Sequence, residues 1–235
     1  MQPSIFRYLL ISCLLFGLCA QSQAQDIPSD STRRFIKPTG IRLGTDVIRL
    51  GQTIAKSSFS GWELNADTDL GRYYPTLDYG RWTRDTPIEN GTYSNDGRYI
   101  RLGVDINFLK NDPDKNMFFF GIRYGRSIFD EQVAYDYSTI DFGDYKKNAV
   151  NNNAKAGWIE LTTGLRVKIW KQFWMGYTAR LKFLPSVSGD DGFDTYEIPG
   201  YGLTYKNTYW GFNYQIFWRI PFKSDKSSQL TSSEK

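Results

Sequence analysis

From residue 41 onward the chain alternates apolar and polar residues with a period of two, the spacing of a strand whose faces meet different surroundings. Ile41, Leu43, Thr45 and Val47 oppose Arg42, Gly44 and Asp46. Trp62, Leu64, Ala66, Thr68 and Leu70 oppose Glu63, Asn65, Asp67 and Asp69. A third segment, 73–82, alternates weakly through Tyr73, Pro75, Leu77 and Tyr79, and its proline cannot donate to a ladder. The fourth sets Ile100, Leu102, Val104, Ile106 and Phe108 against Arg101, Gly103, Asp105 and Asn107; the fifth sets Phe118, Phe120, Ile122 and Tyr124 against Phe119, Gly121 and Arg123. In the sixth, Ile159 through Ile169 opposes Glu160, Thr162, Gly164, Arg166 and Lys168. The seventh opposes Phe173, Met175, Tyr177, Ala179, Leu181 and Phe183 to Trp174, Gly176, Thr178, Arg180 and Lys182, and the eighth opposes Trp210 through Phe222 to Gly211, Asn213, Gln215, Phe217 and Arg219. None has helical spacing, and a slip of one residue would put a charge on the apolar face, so the register is firmly specified.

The connections carry a second signal. Long ones, at about 51–60, 83–97, 127–157 and 185–207, alternate with tight turns at Gly71-Arg72, 111–115 with its Asp112-Pro113 step, and Lys171-Gln172. Long loops at one end and short turns at the other are the pattern of an all-β, eight-stranded antiparallel up-and-down transmembrane β-barrel, here over residues 39–222. A soluble lipocalin-like binding barrel, with the apolar face turned inward around a ligand, has the same period. Aromatics near strand ends, Tyr73, Tyr99, Trp158, Trp170, Phe173, Trp174, Trp210 and Phe222, favour membrane-interface girdles, although some of the tryptophans point inward in this register.

At the N-terminus, Arg7 precedes an apolar core that ends in Ser22-Gln23-Ala24, small residues where a signal peptidase reads. Residues 1–24 are expected to be a cleaved signal peptide, 25–38 a polar leader and 223–235 a polar tail. Beyond Ala24 no stretch approaches the roughly 18 apolar residues of a spanning helix. Both cysteines, Cys13 and Cys19, fall in the signal core, so they read as neither a disulfide framework nor a metal pair. There is no histidine, which removes Ser-His-Asp, Cys-His and histidine-metal chemistry. The formal charge of +4 comes without a basic run that would track phosphates, so no nucleic-acid partner is expected.

These segments resemble the small eight-stranded outer-membrane β-barrels of Gram-negative bacteria, and more closely the uncharacterised outer-membrane β-barrel families of Bacteroidota. Tyr209-Trp210-Gly211-Phe212-Asn213-Tyr214-Gln215-Ile216 is similar to the assembly signal on the last strand of such proteins, although this chain continues past Phe222 into a polar tail. The resemblance implies residence in the cell outer membrane among its lipids, and contact with the barrel-assembly machinery during biogenesis.

The polar face would enclose Glu63, Asp67, Arg101, Asp105, Arg123, Glu160, Arg166, Lys168, Arg180, Lys182 and Arg219. An eight-stranded barrel is just wide enough for side chains to fill, so these charges are expected to crosslink a closed lumen, a narrow solute pore being the alternative. Glu160 is expected to pair with cations among Arg166, Lys168, Arg180 and Lys182. No catalytic residue, metal or cofactor is assigned: Asp190-Asp191 is flanked by Gly189 and Gly192, as in a solvated turn, and with Asp194 it lacks a calcium-loop signature. The long loops are aromatic and acidic. Tyr135, Tyr137, Tyr145, Asp190, Asp191, Asp194, Tyr196 and Tyr201 are candidates for recognising a protein or glycan, tyrosine offering large contact area at small entropic cost. The competing expectation is that these aromatics pack on one another and prolong the strands into a rigid crown. The reading reached is a non-enzymatic barrel, structural or acting through its loops.

Overall fold

The computed structural model describes residues 37–109, 112–139, 143–189 and 194–222. The elements, in chain order, are β1 (Gly40–Asp46), α1 (Val47–Ala55), β2 (Phe59–Thr68), β3 (Tyr73–Ile88), β4 (Gly91–Asn107), β5 (Met117–Thr139), β6 (Gly143–Trp170), β7 (Phe173–Ser188), β8 (Glu197–Ile198), β9 (Gly202–Leu203) and β10 (Thr208–Pro221). Eight of the strands form one closed antiparallel ring in the order β1-β10-β7-β6-β5-β4-β3-β2, and β8 and β9 make a separate small hairpin. Apart from that inserted hairpin, strands consecutive in the chain are neighbours in the ring and β1 pairs with β10 to close it, so the up-and-down order expected from the sequence holds. Among the described residues no helix is long and apolar enough to cross a membrane.

The two rims differ. At the turn rim the strands are joined by tight reversals, with Gly71 and Lys171 in the left-handed region at φ 66° and 44°. At the crown rim two of the four expected long loops, 83–97 and 127–157, are largely strand. β3 and β4 stay paired to Ile88↔Gly91, and β5 and β6 to Thr139↔Gly143, with one irregularity between Phe129 and Glu131. The alternation fades there because both faces carry polar residues, while the ladder continues.

A second departure lies after β1. The sequence pattern runs its first strand to Val47, but the strand stops at Asp46, whose side chain caps a helix by accepting the Ile48 N–H at 3.0 Å. Arg49 and Thr53 face the barrel, while Ile48, Leu50 and Ile54 are exposed. β1 leaves β10 after the pair Asp46↔Gln215, and the helix packs on β2 and β10 where β1 has ended.

The barrel is inverted in polarity relative to a water-soluble fold. Arg101, Asp105, Glu63 and Glu160 are completely buried, whereas Leu64, Leu102, Phe120, Ile122 and Phe212 are each more than half exposed on the outer face. Glycines on the inner face make room for the largest inward side chains: a Cβ at Gly125 would collide with the Trp158 indole, and one at Gly80 with the Tyr99 phenol.

Candidate functional site

The interior is layered. Nearest the turn rim is an apolar floor of Tyr74, Met117 and Phe119, with Phe217 beside it. Arg42 lies over the Tyr74 ring at 5.0 Å, and Arg166 over both Phe119 and Phe217 at 4.8 and 4.9 Å. At the crown end a larger cluster of Tyr99, Phe129, Ala154, Ala156, Trp158, Ile198 and Tyr201 forms a ceiling. Between floor and ceiling lie the charges.

Neighbouring strands build this layer because period two sends every second residue inward and the register lines up opposite signs. Asp67 accepts from Arg42 Nε and Arg166 Nη1, both at 2.7 Å, and Asp105 accepts from Arg166 at 3.0 Å and Arg123 at 2.9 Å. Arg123 continues to Asp78 at 2.5 Å, which also meets Arg180 at 3.2 Å and Arg101 at 3.5 Å. Glu160 lies 2.9 Å from Arg180 and 3.0 Å from Arg101, and accepts the Trp158 indole N–H at 2.7 Å. Glu63 completes the chain, with Arg101 at 3.1 Å, the Tyr99 hydroxyl at 2.5 Å and Arg49 at 3.3 Å. Each of these carboxylates touches at least two cations, which is what charges removed from water require.

The segment between β7 and β10 closes the crown end. Its hairpin enters the mouth, where the Gly200 carbonyl accepts from Arg101 at 3.1 Å and from Lys182 at 2.8 Å, and the Tyr201 carbonyl accepts from Lys182 at 2.8 Å. Gly200 has φ +86°, and a Cβ there would overlap the Tyr99 ring, so the plug depends on glycine at that position. Glu197 on this segment is bonded to Arg84 at 2.9 Å, but burial outweighs that partner and holds its carboxyl above the usual range. At the opposite rim burial also opposes ionisation of Asp69, yet hydrogen bonds from Thr39 and Gly40 and the charge of Arg219 prevail and hold its carboxyl below the usual range.

Eight of the expected lumenal charges therefore converge: Glu63, Asp67, Arg101, Asp105, Arg123, Glu160, Arg166 and Arg180. Lys182 is buried beside them but bonds the plug's carbonyls. Two expectations need correction. Lys168 is partly exposed at the turn rim and pairs with Asp114 at 2.6 Å, because it lies beyond the apolar floor and past the end of the β5–β6 ladder at Met117↔Arg166. Arg219 likewise belongs to the rim, 3.5 Å from Asp69. Of the partners expected for Glu160, Arg180 bonds it, whereas Arg166 reaches Asp67 and Asp105. Its second partner, Arg101, comes from β4, one strand beyond the neighbouring β5.

Two contributors were not singled out by the sequence. Asp78 lies on the weakly alternating third segment, where only the apolar face drew notice, although Thr76, Asp78 and Gly80 already form a polar face opposite it. Arg49 fell between the first segment, which ends at Val47, and the long connection from about residue 51; its spacing of three from Asp46 was the available sign.

On the crown, Tyr135 and Tyr196 are exposed, Tyr196 packing edge-on against Tyr93 at 5.3 Å, and Asp194 is exposed too. Tyr201 is not a surface residue: it is fully buried against Trp158 at 6.0 Å, because it is the apolar foot of the plug. Asp190 and Asp191, and the side chains of Tyr137 and Tyr145, lie outside the described residues.

A closed antiparallel β-barrel with an apolar outer wall and a charge-filled, plugged interior is thus the class of protein that the fold and site define. The chain belongs to the family described as a domain of unknown function, DUF6048, which matches residues 3–225. No curated protein matches it.

Proposed function

We propose that the protein is a non-enzymatic integral barrel of the outer membrane whose lumen is closed, and whose crown of extended hairpins is its recognition surface. The observation that carries this reading is the inverted polarity. The outward residues from Ile100 on β4 to Phe108 just after it are apolar, and at about 3.4 Å per residue and a tilt of about 40° they span roughly 20 Å, comparable with the apolar band of about 25 Å on outer-membrane barrels. In water such a wall would be a large exposed apolar patch, whereas in lipid it is the favoured surface. A lipocalin-like role is disfavoured because the interior holds salt bridges where a ligand's apolar cavity would be needed. A solute pore is disfavoured because floor, network and plug fill the bore.

The non-enzymatic part rests on the lack of histidine and on the use of the lumenal carboxylates as acceptors for guanidinium groups. The crown supplies what remains: hairpins that rise beyond the apolar band, with exposed Tyr135 and Tyr196. Fractionation tests the membrane reading. The folded protein should stay with detergent-extracted outer membrane and should change gel mobility on boiling; release with periplasmic contents would overturn it.

A further inference from the structure

Just above the apolar band, the outer wall carries basic residues on four successive strands: Arg81 on β3, Arg98 on β4, Arg126 on β5 and Lys155 on β6. The register packs them closely. Arg81 and Arg98 are direct ladder partners. Arg98 and Lys155 both stand level with Ile128, and Arg126 is the next outward residue of β5, diagonal to each. Neighbours across the strands therefore lie about 5 to 8 Å apart at the backbone. Like charges directly opposite in a ladder are unfavourable, and a screen of anions is the ordinary remedy.

The wall supplies little of that screen. Arg81 is satisfied by Asp96 at 2.8 Å. The other nearby carboxylate, exposed Asp130, accepts the Asn153 backbone N–H at 2.7 Å and forms no ion pair with these cations, so four cations face two carboxylates. Among the described residues, Arg98, Arg126 and Lys155 have no carboxylate within ion-pair distance. An open groove of about 340 Å³ runs over part of this sector, lined by Trp62, Tyr79, Arg81, Asp96, Arg98 and Asp130, with Arg126 and Lys155 beside it on the outer wall. Below the cations the same outward faces continue as Leu77, Ile100, Leu102, Ile122 and Tyr124, all exposed. Round the rest of that rim β7 and β10 show Phe183 and Trp210 and α1 shows Ile54, with only the isolated lysines Lys56 and Lys206 among the described residues beside them.

We propose that this sector binds the phosphorylated headgroup of a lipid in the outer leaflet, with its acyl chains lying on the apolar strip beneath. The proposal rests on the membrane reading. Three unpaired cations at the edge of the band match a phosphate in charge and in depth, and Trp62 and Tyr79, packed edge-on at 5.5 Å, flank the groove as an interfacial pair.

The test is native mass spectrometry of the full-length barrel reconstituted in vesicles containing equal amounts of phosphatidylcholine and phosphatidic acid. Several-fold enrichment of retained phosphatidic acid is expected. At about five-fold per cation near a surface, replacing Arg98, Arg126 and Lys155 together by Gln should weaken that retention on the order of 100-fold. Arg98→Lys with Arg126→Lys should largely keep it, and Lys171→Gln at the other rim should leave it unchanged. Equal retention of the two lipids by the wild-type protein would overturn the proposal without needing any variant. Inorganic phosphate displacing the lipid at similar concentration would overturn it in favour of a free-anion site. Failure of the wild-type protein to insert would bring down the membrane reading, a result distinct from insertion without headgroup preference.

Discussion

Replacing Asp67 by Asn should destabilise the barrel more than replacing Asp78 by Asn, although Asp78 meets more cations. The Asp78 carboxylate touches Arg101, Arg123 and Arg180, but each has another acid: Arg123 keeps Asp105, Arg180 keeps Glu160, and Arg101 keeps both Glu63 and Glu160. Removing Asp78 therefore redistributes charge without isolating a guanidinium. Asp67 is different. Arg166 keeps Asp105, but Arg42 has no second carboxylate within 4.0 Å among the described residues, only the Met117 sulfur at 2.5 Å and the Lys115 carbonyl at 3.4 Å. Breaking a buried pair by removing one partner typically costs about 3 to 5 kcal/mol, so we expect the upper end for Asp67→Asn and the lower end, about 3 kcal/mol, for Asp78→Asn. In a water-filled lumen both would cost about 0 to 1 kcal/mol, the range of solvated pairs. The assay is the folded fraction on unheated gels across a urea series in vesicles, with both variants on one scale. Both values below about 1 kcal/mol, or Asp78→Asn clearly the more damaging, would refute the closed, pairwise-compensated lumen.

Three further outcomes follow from the same geometry. Gly125→Val should lower stability by about 2 kcal/mol or more because its side chain meets the buried Trp158 indole; a denaturant midpoint equal to wild type would count against the tight ceiling. In planar bilayers the intact protein should show no steady ion conductance, while replacing Gly200 by Val, which cannot take its φ of +86° beside Tyr99, should produce intermittent openings; a silent variant would mean the plug is not what closes the crown end. Because Glu197 has a folded-state pKa raised above its unfolded value, the plug's stability should fall as pH rises from about 4.5 through that raised pKa. Amide exchange in residues 196–204, corrected for its intrinsic rate, should therefore slow on acidification from neutral pH, and Glu197→Gln should abolish the effect.

The ring of eight strands and most of its charge network were legible because a period-two pattern fixes both the element and the face of each residue. Glu63, Arg101 and Glu160 could be placed inward from the identities of their neighbours alone. What failed was information that period two does not hold. It gives the face but not the depth, so Lys168 and Arg219, correct in parity, fell outside the sealed layer. It fades where both faces are polar, so hairpins reaching Ile88 and Thr139 read as loops. It is silent on segments that fold back into the bore, so Tyr201 read as a surface tyrosine although its ring is part of the ceiling.

The helix α1 carries that point furthest, since it is part of the wall without being a strand. β2 continues toward the crown past Leu64, and β10 past Gln215, to positions where β1 no longer offers a ladder partner. On the proposed membrane reading that unpaired edge would face lipid, where it is costly. On β2 the helix supplies a substitute: the Thr53 hydroxyl accepts the Gly61 N–H and donates to the Gly61 carbonyl, both at 2.8 Å, so one side chain does what a neighbouring strand's backbone would do. Arg49, on the same inner side, enters the charge layer between Asp46 and Glu63 and lies over the Trp82 and Tyr99 rings at 4.9 and 5.3 Å. Ile48, Leu50 and Ile54 then extend the apolar outer face across the gap. An inward polar stripe and an outward apolar one reverse the usual surface helix and match the wall on either side of it. If that account holds, Thr53→Val, which keeps shape but loses both hydrogen bonds, should speed exchange of the Gly61 amide while leaving the Thr45–Leu64 pairing protected; unchanged Gly61 protection would show that the helix covers the edge without bonding it.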